Sequence, residues 1–507
     1  MNSQVINVAI VVAYLAAMLL FGWWGKSRTK NTSDFLVAGR RLGPLLYTGT
    51  MAAVVLGGAS TVGGVGLGYQ YGISGMWLVV AIGAGVLLLS LLFAPTLQKL
   101  RIYTVAQMLT LRYGVHATRF SGIVMLAYTL MLCATSTGAY ATIMVVLFGW
   151  ERWLAILVGG AIVLVYSTVG GMWSITLADM AQFTIKTIGV FFLMLPLTWS
   201  SAGGIDGIRG RVDAEFFSIT GIGVQTIITY FVVYTLGLLI GQDIWQRVFT
   251  ARTPKVARWG GAAAGIYCIL YGAAGALIGM AAAVVMPNIE APDDVYADVA
   301  MNLLPLGIGG VVLAAAVAAM MSTASGTLIA AATVAKADVV PFVMSWFGKT
   351  VHDDHEHAEH DVAGNRWWVF GLGALSILLA ILVQDVVAAL TIAYDILVGG
   401  LLIAILGGLI WKRGTGMGAA VSMAVGSVVT LTTMIVLEIN AENQYDGVYA
   451  NEPIYYGLAA SLVSYIAVSL ATRPTDRAVR AAWDRRVAGA AAQEVPVAGS
   501  EEELSRR

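Results

Sequence analysis

The chain has 507 residues, of which 58% are hydrophobic and only 11% charged. A soluble domain carries about 25% charged residues, so this chain cannot cover itself with polar surface and belongs in lipid. Lys plus Arg and Asp plus Glu both number 29. Net charge therefore points to no partner, and no nucleic-acid partner is expected; the lipid bilayer and a small-molecule solute are, with no oligomer required.

Apolar runs long enough to span a bilayer lie near 5–24, 45–68, 75–98, 119–148, 153–170, 173–198, 224–246, 259–286, 304–335, 367–384, 387–411, 416–437 and 454–472. They predict an all-α polytopic membrane protein of about thirteen helices. The first run lacks a basic flank and a small-residue cleavage site, so it reads as a retained span. Cys133 and Cys268 fall inside apolar runs and imply no disulfide framework.

Orientation follows from the basic residues. Alternate connections and the C-terminal tail hold 25 of the 29 Lys and Arg. The opposite connections hold only Arg152, Arg209 and Arg211, and Lys186 sits inside a span. This predicts an inner-membrane, multi-pass protein with its N-terminus outside and its C-terminus in the cytoplasm. Residues 1–472 read as a single transporter domain and 473–507 as a cytoplasmic tail with room for one short amphipathic helix. Trp23, Trp24, Trp367, Trp368 and Trp411 fall at predicted interfaces.

Two polar stretches interrupt the apolar pattern. "VVLGGASTVGGVGLGYQYG", residues 54–72, crowds glycines into the second span, where each costs a helix about 1 kcal/mol relative to alanine. Either the glycines serve close helix packing, or the helix is broken, with freed carbonyls for a cation and N–H groups for an anionic substrate group. In the ninth span, Ser322, Thr323 and Ser325 stand close together in "AVAAMMSTASGTLIAAATVAKAD", residues 316–338. Hydroxyls and freed carbonyls suffice for a small monovalent cation; hydroxyls bonded back to their own helix are the bland alternative.

Charged residues inside a span are functional candidates. Asp179 and Lys186 lie seven residues apart on one face. Lys186 has three readings: contact with a substrate carboxylate, proton coupling by titration, or structural pairing with Asp395 or Asp243. Tyr140, Tyr230, Tyr234 and Tyr394 are aromatic candidates for packing, with Tyr234 and Tyr394 also candidates for substrate contact. Thr61, Gly63 and Gly64 flank the proposed break and are the better substrate candidates. "HDDHEHAEHD", residues 352–361, is either a solvated loop or a weak Zn²⁺ or Ni²⁺ site.

Four stretches together resemble the sodium:solute symporter family, the group of bacterial sodium/proline and sodium/sugar symporters. They are "SDFLVAGRRLGP" (33–44), "GGMWSITLADMAQ" (170–182), "GQDIWQRVFTARTPKVAR" (241–258) and "AAMMSTASGTL" (318–328). The resemblance implies a leucine-transporter-like core of ten helices, about 45–411, in a 5+5 inverted repeat whose first core helix is broken. It implies sodium (Na⁺) as coupling ion, held by the carbonyls of Ala59, Val62 and Ala319 and the hydroxyls of Ser322 and Thr323. Asp179 and Ser325 match part of a second sodium site or exit path. Gly326 departs from the serine expected there, and Thr61 from the aspartate of proline-type members, which argues against simple transfer of proline as substrate. The expected function is sodium-coupled symport of a small polar organic solute, amino acid or carboxylate-like, by alternating access. Proton-coupled symport through Lys186 and a non-transporting solute sensor are the alternatives; an enzyme is not expected.

Overall fold

The computed structural model describes residues 3–114, 119–347, 361–382, 386–443 and 445–489. The described residues form helices and contain no strand beyond one isolated bridge, Leu42 to Ala251. By length and apolarity alone they hold ten membrane-spanning helices, or eleven with the bent pair Val224–Leu238 and Gln242–Thr250.

Thirteen spans are not reached on that criterion, and the shortfall has a physical source. Two helical runs, Ala59–Leu100 and Arg152–Ser201, have 42 and 50 residues. At 1.5 Å per residue each is about 60 Å long or more, twice the roughly 30 Å of hydrocarbon. Each is bent at a glycine with positive φ, Gly72 at +60° and Gly171 at +57°, so helical hydrogen bonding carries almost through the turn. Gly171 also passes close to an earlier segment: a Cβ there would lie 2.6 Å from the Phe35 carbonyl oxygen.

The break expected in the glycine-rich stretch is present, but it comes early. Helix Pro44–Val55 ends at Leu56, whose φ and ψ of −90° and 79° are not helical. The chain re-enters a wide helical turn at Ala59–Gly63 and continues as Gly64–Tyr71. The bent pair in the second half is broken in the same way, at Leu239–Gly241. Both halves of the core thus open on a discontinuous span, as the inverted repeat requires.

Helix Ile308–Val334 runs through the centre. Its extended span, Ile308–Ser345, is 89% buried over its most apolar window, far above the 28% of the peripheral spans Gly416–Ile439 and Glu452–Ala471. Small residues make that possible, since Gly and Ala let neighbouring backbones come close. It packs against Arg119–Phe148, Arg152–Thr187 and the broken span. On the far side of the break, Gly64–Tyr71 packs against Pro254–Val285. The tail helix Arg477–Ala488 is capped by Asp476 and packs on Ala94–Leu100 and Val105–Tyr113 with Trp483 buried. The histidine-rich stretch 352–360 lies outside the described residues. Asp361, which follows it, accepts from Lys336 Nζ at 2.6 Å, and that contact holds the Asp361 carboxyl below the usual carboxylate range.

Candidate functional site

Ending a helix inside the membrane strands its last carbonyls. Here those carbonyls belong to Ala53, Val54 and Leu56, and they face two neighbouring helices. Ser322 Oγ donates to the Ala53 carbonyl at 2.7 Å and Thr323 Oγ1 to that of Val54 at 2.7 Å. The Ala319 carbonyl lies 2.7 Å from Ser322 Oγ. Lys186 Nζ donates to the carbonyls of Ala53 and Leu56 at 2.9 and 3.2 Å. Lys186, Ser322 and Ala319 are fully buried and Thr323 nearly so.

The register therefore differs from expectation. Ser322 and Thr323 do meet the broken span, but at Ala53 and Val54 rather than at Ala59 and Val62, and the Ala319 carbonyl joins them through Ser322 Oγ. The helix stops before the glycine cluster, so the orphan carbonyls precede Gly57. Ala59 and Val62 sit in the re-entered helix and line a cavity instead.

That cavity measures about 590 Å³. Gly58, Ala59, Val62, Gly63, Tyr230, Tyr234, Thr391 and Asp395 line it, and it reaches out to Asp293 and Asn451. A small cavity of about 50 Å³ adjoins it along the break and shares Gly58, Ala59 and Tyr234 with it. Of the expected substrate contacts, Gly63 and Tyr234 line the large cavity, and Tyr394 lines the small one, packed edge-on against Tyr234. Thr61 does not line either; it accepts a hydrogen bond from Tyr271 at 3.1 Å. Gly64 faces Val79, so it serves packing. Tyr140 is buried against Gly159.

The second group of expected sodium residues does different work. Asp179 is fully buried and paired with Arg247, whose Nη2 lies 3.2 Å from Oδ2. Thr50 donates to the same oxygen. A guanidinium thus stands at the carboxylate expected to face sodium. Gly326 explains the room for it, because a Cβ there would lie 2.9 Å from Arg247 Nη2. Ser325 donates to the Ser322 carbonyl of its own helix at 3.2 Å. Lys186 meets neither of its proposed acidic partners: Asp243 accepts from Tyr128 at 3.1 Å, and Asp395 lines the cavity.

Arg247 and Asp395 are the residues that motif reading underused. Arg247 lies in the 241–258 stretch that carries the family resemblance, and a mid-span carboxylate at 395 is itself a signal. Asp395 is 1% exposed, and neither carboxylate oxygen has a hydrogen-bond partner among the described residues. Among the described residues, the lining of the cavity contains no Lys or Arg.

The end of the molecule opposite the cavity mouth is tied shut. Gln246 Nε2 donates to the Leu36 carbonyl at 2.8 Å and to Thr333 Oγ1 at 3.0 Å. Arg40 donates to the carbonyls of Ile102 and Phe249 at 2.7 and 3.3 Å. Gln246→Ala removes two of these bonds, each worth about 1 kcal/mol. It is expected to speed maleimide labelling of a cysteine placed at Ser325 from that side by roughly tenfold. An unchanged labelling rate would show that these bonds do not hold the gate.

A broken span, a buried cation position beside it and a large cavity open to one end define a secondary transporter of the leucine-transporter-like fold. Residues 35–426 match the sodium:solute symporter family, and the chain belongs to that family. It is a multi-pass membrane transporter rather than an enzyme, and sodium is the coupling ion of the family. It is 26% identical to the osmoregulated proline transporter of Bacillus subtilis, over 92% of this chain and 96% of that one. The sodium/proline symporter of Haemophilus influenzae is 25% identical over 93% and 96%. Among solved structures, a Na⁺-coupled sialic acid symporter in a substrate-bound outward-open state matches with a TM-score of 0.77. It is 18% identical over 93% of this chain and 98% of that one. A nucleobase-cation-symport-1 family transporter matches at 0.57, with 16% identity over 90% and 99%.

Proposed function

We propose that this chain imports a solute carrying an amino group, an amino acid above all, together with sodium. Asp395 carries the choice of solute. A buried carboxylate whose two oxygens have no partner among the described residues is costly within a membrane, and among those residues no basic side chain lines the cavity to offset it. An ammonium group on the substrate supplies the missing charge and the missing donors. The substrate carboxylate has its own place, because the first N–H groups of the re-entered helix at Gly58–Ala59 have no helical acceptor and border the same cavity. A monocarboxylate without an amine would meet Asp395 with like charge. The proline transport named for two relatives is consistent with this class. Thr61 carries no weight against proline, since it is turned to Tyr271.

Sodium belongs at the hydroxyls of Ser322 and Thr323 and the Ala319 carbonyl, together with the carbonyls of Ala53 and Leu56. Asp179 and Ser325 are left out of the ligand set because Arg247 neutralises Asp179. The distribution of Lys and Arg puts the N-terminus outside and the C-terminus in the cytoplasm, so the cavity faces outward. Residues 1–472 act as one transporter domain and 473–507 as its tail.

Uptake of labelled amino acids into proteoliposomes, with and without a sodium gradient, tests the reading. Asp395→Asn is expected to lower kcat/KM roughly 10- to 100-fold, the loss of one charged hydrogen bond, with the thermal midpoint little changed. Equal inhibition by a monocarboxylate and by its α-amino analogue would defeat the amine assignment.

A further inference from the structure

We propose that the Lys186 ammonium is a tethered occupant of the sodium position, so that sodium binding and the bonds of Lys186 to the broken span exclude each other. The side chain is fully buried and reaches the span from helix Arg152–Thr187. Its partners are backbone carbonyls, those of Ala53 and Leu56 at 2.9 and 3.2 Å. Among the described residues it forms no ion pair, because Asp179 is engaged by Arg247 and Thr50. A cation held by neutral oxygens alone is bound as a metal cation is bound.

The carbonyl of Ala53 has two lone pairs, and both are in use. Ser322 donates to it at 2.7 Å and Lys186 at 2.9 Å. Thr323 occupies the neighbouring Val54 carbonyl. Sodium entering here would have to displace the ammonium, and the two like charges cannot share the oxygens. The lysine also does the mechanical work of a bound ion. It places a positive charge at the C-terminal end of half-helix Pro44–Val55, where the helix dipole favours one, and it ties that end to a second helix. The arrangement makes sodium affinity depend on the fraction of molecules in which Lys186 has swung away, since an occluded site lowers apparent affinity by that fraction.

The test needs no solute, so it is independent of the amine assignment. Purified wild type, Lys186→Met and Lys186→Arg are titrated with NaCl against choline chloride at constant ionic strength, with thermal stability as readout. Lys186→Met vacates the oxygens, and its half-saturating sodium concentration is expected to fall about tenfold or more. Adding Ser322→Ala to that background should abolish the gain. Lys186→Arg keeps the cation and should stay as insensitive as wild type. Should Lys186→Met not fold, Lys186→Gln carries the same comparison. A sodium response in the folded neutral variant within about twofold of wild type would overturn the proposal, as would a gain that survives Ser322→Ala.

Discussion

Replacing Arg247 by methionine is expected to destabilise the protein by about 3–5 kcal/mol, the cost of leaving one member of a buried ion pair alone. Arg247 and Asp179 both have fully buried side chains and lie 3.2 Å apart. Among the described residues, Asp179 keeps only the Thr50 hydroxyl in the variant, and its other oxygen already lacks a partner. Asp179→Asn should do similar harm by stranding the guanidinium. The informative measurement is the double variant. With both charges gone, Asp179→Asn with Arg247→Met should recover much of the loss, because a buried pair contributes little beyond a well-packed apolar substitute. The coupling between the two single changes should exceed about 1 kcal/mol. Additive losses in denaturant unfolding would mean that the pair is not an energetic unit. The pair joins helix Arg152–Thr187 to the short helix Gln242–Thr250, so it also holds the closed end opposite the cavity.

Gly279→Val is expected to cost about 3 kcal/mol or more and to abolish uptake. A Cβ at Gly279 would overlap the Val65 carbonyl oxygen and the Tyr69 amide, both backbone atoms of the re-entered half of the broken span. A Cβ at Gly68 would likewise overlap the Ala276 carbonyl of the opposing helix. Backbone cannot yield as a flexible side chain can, so the two helices must separate and open a gap along their length. The damage should fall on the half-helix that lines the cavity through Ala59, Val62 and Gly63. Thermal unfolding in detergent and amino-acid uptake both report it. Gly63→Ala offers the contrast, since nothing lies within 4 Å of a Cβ there, and its midpoint should change by less than about 1 kcal/mol-equivalent. A Gly279→Val protein as stable as wild type would show that the helices are not held this closely.

These two cases divide the glycine-rich stretch between the two readings its sequence allowed. Gly68 serves backbone-to-backbone packing, as does Gly279 across from it. The break belongs to Leu56–Gly58, where the helix ends and Leu56 turns its carbonyl to Lys186. Composition could not separate the two uses, because glycine is the answer both to close approach and to a lost helical turn. The hydroxyls of Ser322 and Thr323 were legible because adjacent polar residues in a largely apolar helix need partners in hydrocarbon. Their partners were not legible. Which carbonyl a hydroxyl meets depends on the axial offset of two helices more than 260 residues apart in sequence, and an offset of six residues moves the contact from Ala59 to Ala53.

The same limit explains Lys186 and Asp395. Each was visible as a charge inside a span, and pairing the two was a reasonable expectation from charge alone. Folding sends them to different surroundings, one to backbone carbonyls and one to the solute cavity. Amino-acid order by itself determined the membrane class, the all-α architecture, the positions of the spans and the two stretches that must meet, because hydropathy and the need to satisfy backbone groups act locally along the chain. Only the tertiary structure decided the register of the break against the hydroxyl helix, the pairing of Asp179 with Arg247 and the seating of Lys186 among the freed carbonyls. Those depend on how helices slide and rotate against one another, and small-residue packing permits many such arrangements until all the buried charges and carbonyls find partners at once.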